Sequence, residues 1–494
     1  MNSFIDMNLL TALHGHGLIS VSLLLLGAIS CHLAWTRYHG GLHRVPGPFL
    51  ASISSLWKFH VTWQEDMAMR GVLLHESYGP LVRIGPNHVS ASSPEALRII
   101  HVENRGFPKV KISILSDSCV FYGTDLHNIF STQDVEYHSM HKRVIGGFYT
   151  TSALKDVQPN IDRCTTLFVS KLGGITKTQP AIVDMSAWLQ YYSFDSLVDT
   201  MFSQQIGFLA TGSDVGGICE LDHQMMVYFS VVCYPLAMLA RDSFILDLVN
   251  VRIKLHSESN DMLNWLLRLH QSSPDKLSLR EVIGTVYINV VAAHDVTAIT
   301  LRTVFYHLSR SSAVNNKLYD EIAEADRLGL ISHPAKHAEV SLMPYLSAVV
   351  NEALRIHPCV GTIPERVVPK GGVELHGTKI PASTIIGVHA WAINRNREIF
   401  GEDVECFRPE RWIDSAPEKL QLMRKNMFTW GAGARGCIGK NLAMLQILPV
   451  IVELYRHFDF KPVDLGEEWH ISGGWITRQT NMDMIVSKKG QGKK

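Results

Sequence analysis

The sequence lacks any surplus of charge, because its 46 basic side chains balance its 46 acidic ones over 494 residues. Proteins that bind nucleic acids or other polyanions usually carry a basic surplus, so the composition indicates no nucleic-acid partner. Internal repeats and low-complexity inserts are also lacking. The apolar content of 46% is typical of a folded protein with an ample core. These values predict an ordinary globular protein without a nucleic-acid function.

Paired metal-binding motifs are also lacking. The eight cysteines are scattered without a Cys-x-x-Cys pair, and among the 24 histidines no His-x-x-x-His or His-Glu-x-x-His helix pair stands out. This excludes a disulfide framework and a zinc site of the usual spacing, and it fits a reducing compartment. A glycine-rich nucleotide loop and a flavin domain are missing as well. A redox function would therefore need electrons from a separate protein.

One stretch stands out, Trp430–Gly439, where four glycines surround Cys437 and Arg435 precedes it by two residues. Glycine permits a tight turn and lets a flat ligand approach the backbone. A helical pattern follows, and the positive end of a helix lowers the pKa of a nearby thiol. A lone cysteine in such a turn can be inert and buried. The other reading is a thiolate that serves as the axial ligand of haem iron.

The spacing Gly-x-Arg-x-Cys-x-Gly resembles the Phe-x-x-Gly-x-Arg-x-Cys-x-Gly signature of the cytochrome P-450 (haem-thiolate monooxygenase) family. The resemblance implies haem b as cofactor, with Cys437 as the iron ligand. It also implies that Arg435 meets a haem propionate as a charge-assisted pair. Trp430 stands where the family usually has Phe, so an aromatic ring still covers the sulfur side.

A second motif lies in a predicted helix at Asp134–Arg143, which has acids at its start and bases later. Taken alone, this pattern is typical of a solvated helix. His138 and Lys142 are four residues apart on one face, and His-x-x-x-Lys resembles the fungal pisatin-demethylase-like branch of the family. The resemblance implies propionate contacts from His138 and Lys142. It implies another from Arg366, in Pro364–Pro369.

A long helix is predicted from Leu279 to Ser309, about 46 Å in length, opened by a Ser-x-x-Glu capping box at 278–281. Asp295 lies in its middle, where a buried acid is costly unless it is solvated or paired. A salt-bridged core acid is one reading. The segment also resembles the family pattern Ala/Gly-Gly-x-Asp/Glu-Thr-Thr/Ser, which implies that Asp295 and Thr297 handle protons.

Two positions depart from this pattern, because Ala293 replaces the family's Gly and Val296 replaces its relay Thr. Valine is nearly isosteric with threonine but has no proton to give. The resemblance therefore leaves the proton relay open while it still implies the fold.

A third motif pairs a helix at Leu346–Ile356 with a Pro-Glu-Arg-Trp segment downstream. Glu352 and Arg355 are three residues apart and face the same way, and Arg411 can reach the same carboxylate. A surface ion pair of this kind would contribute little to the stability of the fold. The arrangement resembles the family's Glu-x-x-Arg plus Pro-Glu-Arg-Phe triad, whose role is structural.

The rest of the chain is scaffold. A hairpin is predicted around Pro86 and Asn87, a loop at Ile112–Asn128 and a hairpin tip at Ser472–Ile476. Val183–Phe208 and Leu221–Asp247 are apolar-rich and are predicted to be helical. The resemblance implies that the loop and the tip border the substrate pocket.

The N-terminal region predicts a membrane anchor. Leu18–Trp35 carries no charged side chain and would span about 27 Å as a helix. A cleaved signal peptide is the competing interpretation, but residues 1–17 contain Asp6 and no basic residue. Basic residues follow the run, so the body is expected in the cytosol. The family resemblance implies that the anchor lies in the endoplasmic reticulum membrane. The predicted segments are an anchor (1–36), a proline-rich hinge (37–48), a haem-thiolate catalytic domain (49–487) and a flexible basic tail (488–494).

Together the motifs predict a mainly α fold with a small β subdomain, the cytochrome P-450 fold, on one N-terminal transmembrane helix. The resemblance implies oxidation of a small lipophilic molecule with O2 and NADPH-derived electrons, in fungal secondary metabolism. The implied partner is NADPH–cytochrome P-450 reductase, which would dock on a basic surface made of Lys142, Arg143, Arg424, Lys425 and Lys440. Two other functions stay open: a haem-thiolate isomerase or dehydratase that needs no O2 activation, and a non-catalytic haem-binding membrane protein.

Overall fold

The computed structural model describes residues 21–103, 106–110, 120–121, 124–125, 128–231, 248–254 and 259–490. This part of the chain is mainly helical, with short strands between the helices. The predicted mainly α fold with a small β subdomain is confirmed. Most of the loop predicted at 112–128 lies outside the described residues.

The first half of the described chain contains thirteen α-helices. They are α1 (21–38), α2 (Phe49–Ile53), α3 (Leu56–Trp63), α4 (Met67–Tyr78), α5 (Pro94–Leu97, continued by a π-turn at Arg98–Val102), α6 (Val135–Ile145), α7 (Thr151–Leu154), α8 (Gln158–Ile175), α9 (Met185–Phe202), α10 (Phe208–Thr211), α11 (Ile218–Val231), α12 (248–254) and α13 (Met262–Ser272).

The second half is dominated by three long helices. Its helices are α14 (Leu279–Arg310), α15 (Ser312–Arg327), α16 (His337–Val340), α17 (Pro344–Ile356), α18 (Ala390–Ile393), α19 (Arg397–Phe400), α20 (Pro417–Asn426) and α21 (Lys440–His457). Short 3-10 turns lie at Gly146–Tyr149, Val215–Gly217, Pro409–Trp412 and Gly433–Arg435.

The strands form small sheets at the edges of the helical body. They are β1 (Leu81–Gly85), β2 (His88–Ala91), β3 (Val120–Phe121), β4 (Thr124–Asp125), β5 (Ala181–Asp184), β6 (Arg366–Val367), β7 (Val373–Leu375), β8 (Thr378–Ile380), β9 (Ile385–Val388), β10 (Phe458–Pro462), β11 (His470–Ser472), β12 (Arg478–Thr480) and β13 (Asp483–Lys488). Their order is β1-β2-β9-β6 in one sheet and β10-β13-β5 in a second, with two-stranded ladders β3-β4, β7-β8 and β11-β12.

Helix α14 runs through the centre of the molecule. Its capping box is formed, because the Ser278 hydroxyl accepts from the Glu281 N–H while the Glu281 carboxylate accepts from the Ser278 N–H. Most of its residues are buried, and it packs against α9, α13, α17 and α21. The predicted helix from Leu279 to Ser309 is confirmed to within one residue. A buried central helix of this length brings its middle, around Asp295, into the interior.

The predicted helix at Val183–Phe208 is wrong at both ends. Val183 lies in β5, where it pairs with Met484 of β13, and Asp184 caps α9 by accepting from backbone N–H groups. At the other end, Ser203 takes a left-handed conformation (φ 54°) that stops the helix after Phe202. The pairing of β5 with β13 overrides the predicted helix, because a short apolar segment has the same sequence pattern in a buried strand and in a buried helix. The predicted helix at Leu221–Asp247 is observed as α11, and residues 232–247 lie outside the described part.

The predicted anchor is only partly described. Residues 21–38 form α1, and its leucines, from Leu23 to Leu26, are exposed. By length and composition, one helix of the described chain could cross a membrane, and that is α14, whose most apolar window is 72% buried inside the protein. The division of the chain at residues 36, 48 and 487 stays a prediction.

Candidate active site

The cysteine turn lies directly before α21. The backbone N–H of Cys437 donates to the carbonyl of Trp430 (2.8 Å), which closes the turn. Gly431 and Gly433 have φ of +67° and +63°, and a Cβ on Gly433 would lie 1.9 Å from the carbonyl oxygen of His101. These two glycines are therefore required by the backbone path. The Cys437 side chain keeps a solvent-accessible surface, although protein atoms surround it on most sides.

The Cys437 thiol has opposing influences on its pKa. Burial raises it, while the backbone N–H groups of Gly439 and Lys440 and the ammonium groups of Lys142 and Lys440 lower it. The net direction is upward, so the expected net lowering by the helix end is not observed for the protein alone. Coordination to a metal ion deprotonates a thiol outright, which removes this barrier when iron is bound.

A group of positively charged side chains surrounds the turn. We call Lys109, Lys142, Arg366 and Arg435 the cation cluster. Arg366 and Arg435 both lower the pKa of Lys109, which burial and these charges bring to about 7. The pKa of Arg366 falls to about 10, through burial and Arg435. Side chains of one sign are thus held together in a partly buried place.

The side chains of the cation cluster donate their hydrogen bonds to backbone carbonyl groups rather than to acids. Lys142 Nζ donates to Ala434 O (2.7 Å) and Gly436 O (2.9 Å), Arg435 Nη1 donates to Ile129 O (3.2 Å), and Arg366 Nη1 donates to Glu365 O (2.9 Å). Lys109 donates to the carbonyl of Phe130 and lies 4.4 Å from its ring centre. Among the described residues, the carboxylate whose charge acts on this cluster is that of Asp134, on Arg435.

An unbalanced, partly buried cation cluster beside an accessible cysteine fits haem. A haem carries two carboxylates on one edge and needs a thiolate on one face, and both needs are met by residues of this one region. Cys437 would hold the iron, and Lys109, Lys142, Arg366 and Arg435 would hold the propionates. His138 is buried beside the cluster, and burial with Arg435 lowers its pKa to about 4, so it is present as neutral imidazole.

Trp430 lies in the first part of the turn. Its side chain is partly buried against the main core, and Lys440 Nζ lies 5.9 Å from its ring centre. The aromatic ring therefore packs between the core and Lys440, and its cover of the sulfur side stays a prediction.

The middle of α14 opens on one side. Ala292 is exposed and Ala293 and Val296 are partly exposed, although the residues around them are buried. These residues lie on one side of a helix with 100° per residue. The open side carries small apolar groups, with room for a lipophilic molecule.

Asp295 and Thr297 lie on opposite flanks of that open side. Thr297 is buried, and its hydroxyl donates to the Ala293 carbonyl (2.9 Å) and contacts Gln446 Oε1 of α21 at 3.5 Å. Asp295 is buried on the other flank, where Gln190 Nε2 donates to Oδ1 (2.8 Å) and Arg478 donates to Oδ2. The structure thus does not bring Asp295 and Thr297 together, and helix α14 is regular at this point.

A metal ion could be held by three buried side chains that lie close together, namely those of Asp222, His294 and Asp295. Arg478 Nη2 lies between the two carboxylates, 2.9 Å from Asp222 Oδ2. A guanidinium group therefore occupies the place of a cation, and the group is better described as an ion network.

The predicted structural triad of Glu352, Arg355 and Arg411 is assembled, and its side chains are buried. Arg355 makes a bidentate pair with Glu352 (2.7 and 2.9 Å), and Arg411 Nε donates to both oxygens of the same carboxylate (3.0 and 3.1 Å). Trp412 Nε1 also donates to Glu352 (2.9 Å). Burial raises the pKa of Glu352, but the two arginines outweigh it and hold the pKa below its usual value.

The predicted hairpin tip lies near Phe130, whose carbonyl accepts a hydrogen bond from Lys109 of the cation cluster. Strands β11 and β12 pair, and the tip is tied to the segment before β6, since Gly361 N donates to Trp475 O (3.0 Å). The ring of Trp475 meets Phe130 edge to face at 6.4 Å. The tip, the residues after α17 and the segment before α6 therefore border one space.

Two residues of the site are absent from the sequence predictions. Lys109 follows a proline in a short irregular segment, and its pattern carries no periodic signal. Arg478 lies two residues beyond the predicted hairpin tip and 183 residues from the acid that it contacts. A search for a basic partner of the buried Asp295 would have been the signal for Arg478.

The fold and the site define a haem-thiolate protein. The Cytochrome P450 family model matches residues 46–486. A pisatin demethylase of Fusarium vanettenii is 30% identical over 488 residues, which cover 92% of this chain and 93% of that protein. The cytochrome P450 monooxygenase gsfF of Penicillium aethiopicum is 29% identical over 93% of this chain and 96% of its own length. The cytochrome P450 monooxygenase cicH of Emericella nidulans is 28% identical over 88% and 91%.

The chain belongs to the cytochrome P450 family. The family resemblance predicted from the cysteine motif is therefore confirmed, as is the class of enzyme, a monooxygenase-type oxidoreductase. The family uses haem b whose iron is bound by a cysteine thiolate. Similar proteins include fungal monooxygenases, and the structure is mainly helical with small sheets, as this family requires.

Proposed function

We propose that this enzyme oxidises a small lipophilic molecule with O2 and NADPH-derived electrons, as a step in fungal secondary metabolism. The observation that carries the proposal is the accessible Cys437 beside the unbalanced cation cluster. The bound haem supplies the oxygen chemistry, and the protein supplies binding, orientation and protons. The names of the relatives, among them a pisatin demethylase, support a small-molecule substrate.

The residues around the haem position have separate tasks. Cys437 supplies the anionic ligand, and the cation cluster fixes the edge of the macrocycle that carries charge. The small side chains Ala292 and Ala293, together with Val296, would leave apolar room for a substrate on the open side of α14. Apolar walls favour a lipophilic substrate, because burial of apolar surface drives its binding.

Protons must reach the reacting oxygen without a hydroxyl at position 296. Thr297 donates to a backbone carbonyl on the far flank of the open side, so it is poorly placed to replace that hydroxyl. Asp295 is the acid of the segment, and its carboxylate is held ionised. We infer that Asp295 governs proton entry, while water or a polar group of the substrate delivers the proton.

Electrons come from a separate flavin reductase in this proposal. Arg143, Arg424, Lys425 and Lys440 are exposed, whereas Lys142 is partly buried and bound to carbonyls of the cysteine turn. The four exposed basic side chains support docking of an acidic partner, and Lys142 belongs to the haem site instead. Exposed charges of this kind act mainly on the association rate.

A membrane location is part of the same proposal. Exposed apolar side chains occur along α1 and continue on α2 and α3 with Phe49, Phe59 and Trp63. Aromatic and aliphatic groups exposed side by side favour contact with lipid. They support a single-pass anchor in the endoplasmic reticulum membrane with the catalytic domain in the cytosol.

A second candidate is a haem-thiolate isomerase or dehydratase that needs no O2 activation. Val296 on the open side of α14 favours it, because that position carries no proton donor. Dependence on NADPH and reductase separates the two candidates, and any turnover excludes a non-catalytic haem-binding protein.

The test is expression with a reductase and a screen of lipophilic molecules for a shift of the haem spin state. We expect a compound that shifts the spin state to be converted only when NADPH, reductase and O2 are all present. Conversion without NADPH and reductase would favour the second candidate and overturn the first.

A further inference from the structure

A buried arginine lies where helix α1 meets the body of the protein. Arg83 is the middle residue of β1 and is 1% exposed. Its Nη1 donates to Arg37 O (2.9 Å), and its Nη2 donates to Thr36 O (3.3 Å) and Pro86 O (2.6 Å). Its Nε donates to Gly85 O (3.3 Å). Within the described chain, the hydrogen-bond acceptors of this guanidinium group are thus backbone carbonyl groups.

Two of these acceptors belong to the last turn of α1, which ends at residue 38. The last four carbonyl groups of a helix have no partner inside the helix, and that end carries a partial negative charge. The guanidinium group of Arg83 supplies both a donor and a positive charge to Thr36 and Arg37, from a strand 46 residues further along the chain. The end of α1 is therefore capped by a side chain of the body.

The segment that follows α1 closes around the same arginine. The backbone N–H of Arg83 donates to Pro46 O (2.7 Å). A Cβ on Gly47 would lie 2.3 Å from the carbonyl oxygen of Arg83, so the two backbones touch. Between these ends, Leu42 and Val45 are buried in a hydrophobic core cluster. The segment predicted as a hinge thus begins and ends at Arg83 and is packed in between.

A second contact joins the end of α1 to α2. The Arg37 side chain donates to the Ser52 hydroxyl, and its guanidinium carbon lies 5.0 Å from the ring centre of Phe49. Burial and then the charge of Arg37 lower the pKa of Arg83, so the two cations act on each other. The negative end of α1 favours this pair of cations, because it carries unpaired carbonyl dipoles.

These contacts oppose a swing of α1 away from the body. A charged donor makes stronger hydrogen bonds than a neutral one, and a buried guanidinium group that loses them is left without compensation. Movement of α1 would take the carbonyl groups of Thr36 and Arg37 away from Arg83, which water does not reach. The contacts therefore favour one position of α1 on the body.

We propose that Arg83 is a positioning residue, which fixes the end of α1 on β1 and so sets the direction in which this helix leaves the catalytic domain. The consequence for the membrane rests on the proposed function: with α1 as the anchor, Arg83 also sets the tilt of the haem plane on the bilayer. The position of α1 on the body does not depend on that function, and it is tested in detergent.

The first test is a pulsed electron paramagnetic resonance measurement on the full-length holoenzyme in detergent. Cys31 on α1 and Cys406 on the body are exposed and take the two spin labels, after the other accessible cysteines except Cys437 are changed to alanine. We expect a narrow distribution of distances between the labels. In Arg83→Met it should widen by several ångströms, up to the roughly 20 Å reach of a flexible linker of about a dozen residues.

Arg44→Met is the matched control, because Arg44 lies in the same segment and is exposed. It removes a positive charge of the same kind and should leave the distribution narrow. A distribution as narrow in Arg83→Met as in the wild type would overturn the positioning role, because α1 would then keep its place without the cap.

An insertion keeps the test decisive where Arg83→Met does not fold. A Gly-Ser-Gly-Ser insertion after Gly40, where an added Cβ would meet nothing within 4 Å, lengthens the covalent link and leaves Arg83 and its acceptors in place. The distance distribution should stay as narrow as in the wild type, because Arg83 still holds the end of α1. A wide distribution in this variant would show that the covalent link sets the position of α1, and it would overturn the proposal.

The second test is the linear dichroism of the haem in the full-length holoenzyme, held in aligned bilayers of phosphatidylcholine and phosphatidylserine. The wild type and Arg44→Met should show the same dichroism, which corresponds to one tilt of the haem plane. In Arg83→Met the dichroism should fall toward that of an unoriented sample. Unchanged dichroism in Arg83→Met, with the wider distance distribution present, would overturn the consequence for the membrane. Recovery of the wild type from the soluble fraction without detergent would instead contradict the proposed membrane location and leave the first test standing.

Discussion

The two groups of charged side chains in this site differ in where their counter-charge lies. The cation cluster brings Lys109, Arg366 and Arg435 together in a partly buried place, and each lies in the field of another positive charge. Asp222 and Asp295, which we call the acid network together with Arg478, are buried and share that arginine as an ion-pair partner. A buried group of one sign is costly unless an outside partner completes it. The first group therefore indicates a bound anion, whereas the second has its positive partner inside the protein.

The largest effect is expected in a third group, where the buried carboxylate of Glu352 pairs with two arginines. Glu352→Gln removes the charge that Arg355 and Arg411 share, with all three side chains buried. Breaking a buried pair costs about 3–5 kcal/mol, and we expect the free energy of unfolding to fall by this amount. Chemical denaturation of the holoenzyme measures it.

Glu402→Gln is the matched control, because both side chains of its pair with Arg397 are exposed. An exposed pair contributes about 0–1 kcal/mol. Equal losses for Glu352→Gln and Glu402→Gln would show that burial of an ion pair does not decide its contribution.

The second effect concerns Asp295. Asp295→Asn should lower the rate of coupled turnover by about 10²–10⁴-fold, the range of positioned proton transfer. Thr297→Ala should lower the rate of coupled turnover only mildly, because the Thr297 hydroxyl already donates to Ala293 O. Val296→Thr should be tolerated, with little gain in product formed per NADPH consumed.

The amount of product formed per NADPH consumed shows which flank of α14 provides the proton relay. A severe loss for Thr297→Ala would assign the relay to the flank of α14 that faces α21. A large gain for Val296→Thr would show that the open side lacks only a hydroxyl. Either result would contradict the assignment of proton entry to the acid network.

The third effect concerns retention of haem by the cation cluster. Lys109→Met removes one charge-assisted contact, which typically contributes about 1.5–3 kcal/mol, so haem should leave about 10–100-fold faster. Transfer of haem to an apo-globin acceptor measures the rate. Lys155→Met, at an exposed position after α7, is the control and should not change it. Equal rates for the two variants would remove Lys109 from the cluster.

The smallest effect concerns reductase docking. Arg424→Ala/Lys425→Ala should slow the association with reductase a few-fold at low salt and have no effect at high salt, because exposed charges are screened. Stopped-flow reduction at two ionic strengths checks this. A loss that persists at high salt would mean that α20 makes direct contacts that are not electrostatic.

The sequence predictions succeed where a motif and its structure are local. The turn around Cys437, the capping box of α14 and the pair Glu352–Arg355 each lie within a few residues, so their spacing alone sets their geometry. The position of α9 was predicted less well, because β5 pairs with the distant β13. Long-range pairing of this kind leaves no mark in a short window.

The acid network could not be predicted for the same reason. Asp295 is recognisable as a buried acid in an apolar helix, but its partners come from α9, α11 and β12. Nothing in the spacing of Asp222 or Arg478 marks them as neighbours. The balance of charge around a buried acid becomes visible only when the chain is folded.

The direct test of the account is the spectrum of the reduced carbonyl complex. The wild-type holoenzyme should show the red-shifted Soret band of a thiolate-ligated haem, because Cys437 is accessible beside the cation cluster. Cys437→Ser should lose that band, since an alcohol is a poor anionic donor to iron, while Cys406→Ser, an exposed cysteine elsewhere, should keep it. A Cys437→Ser protein that retains the band would contradict the account at its centre.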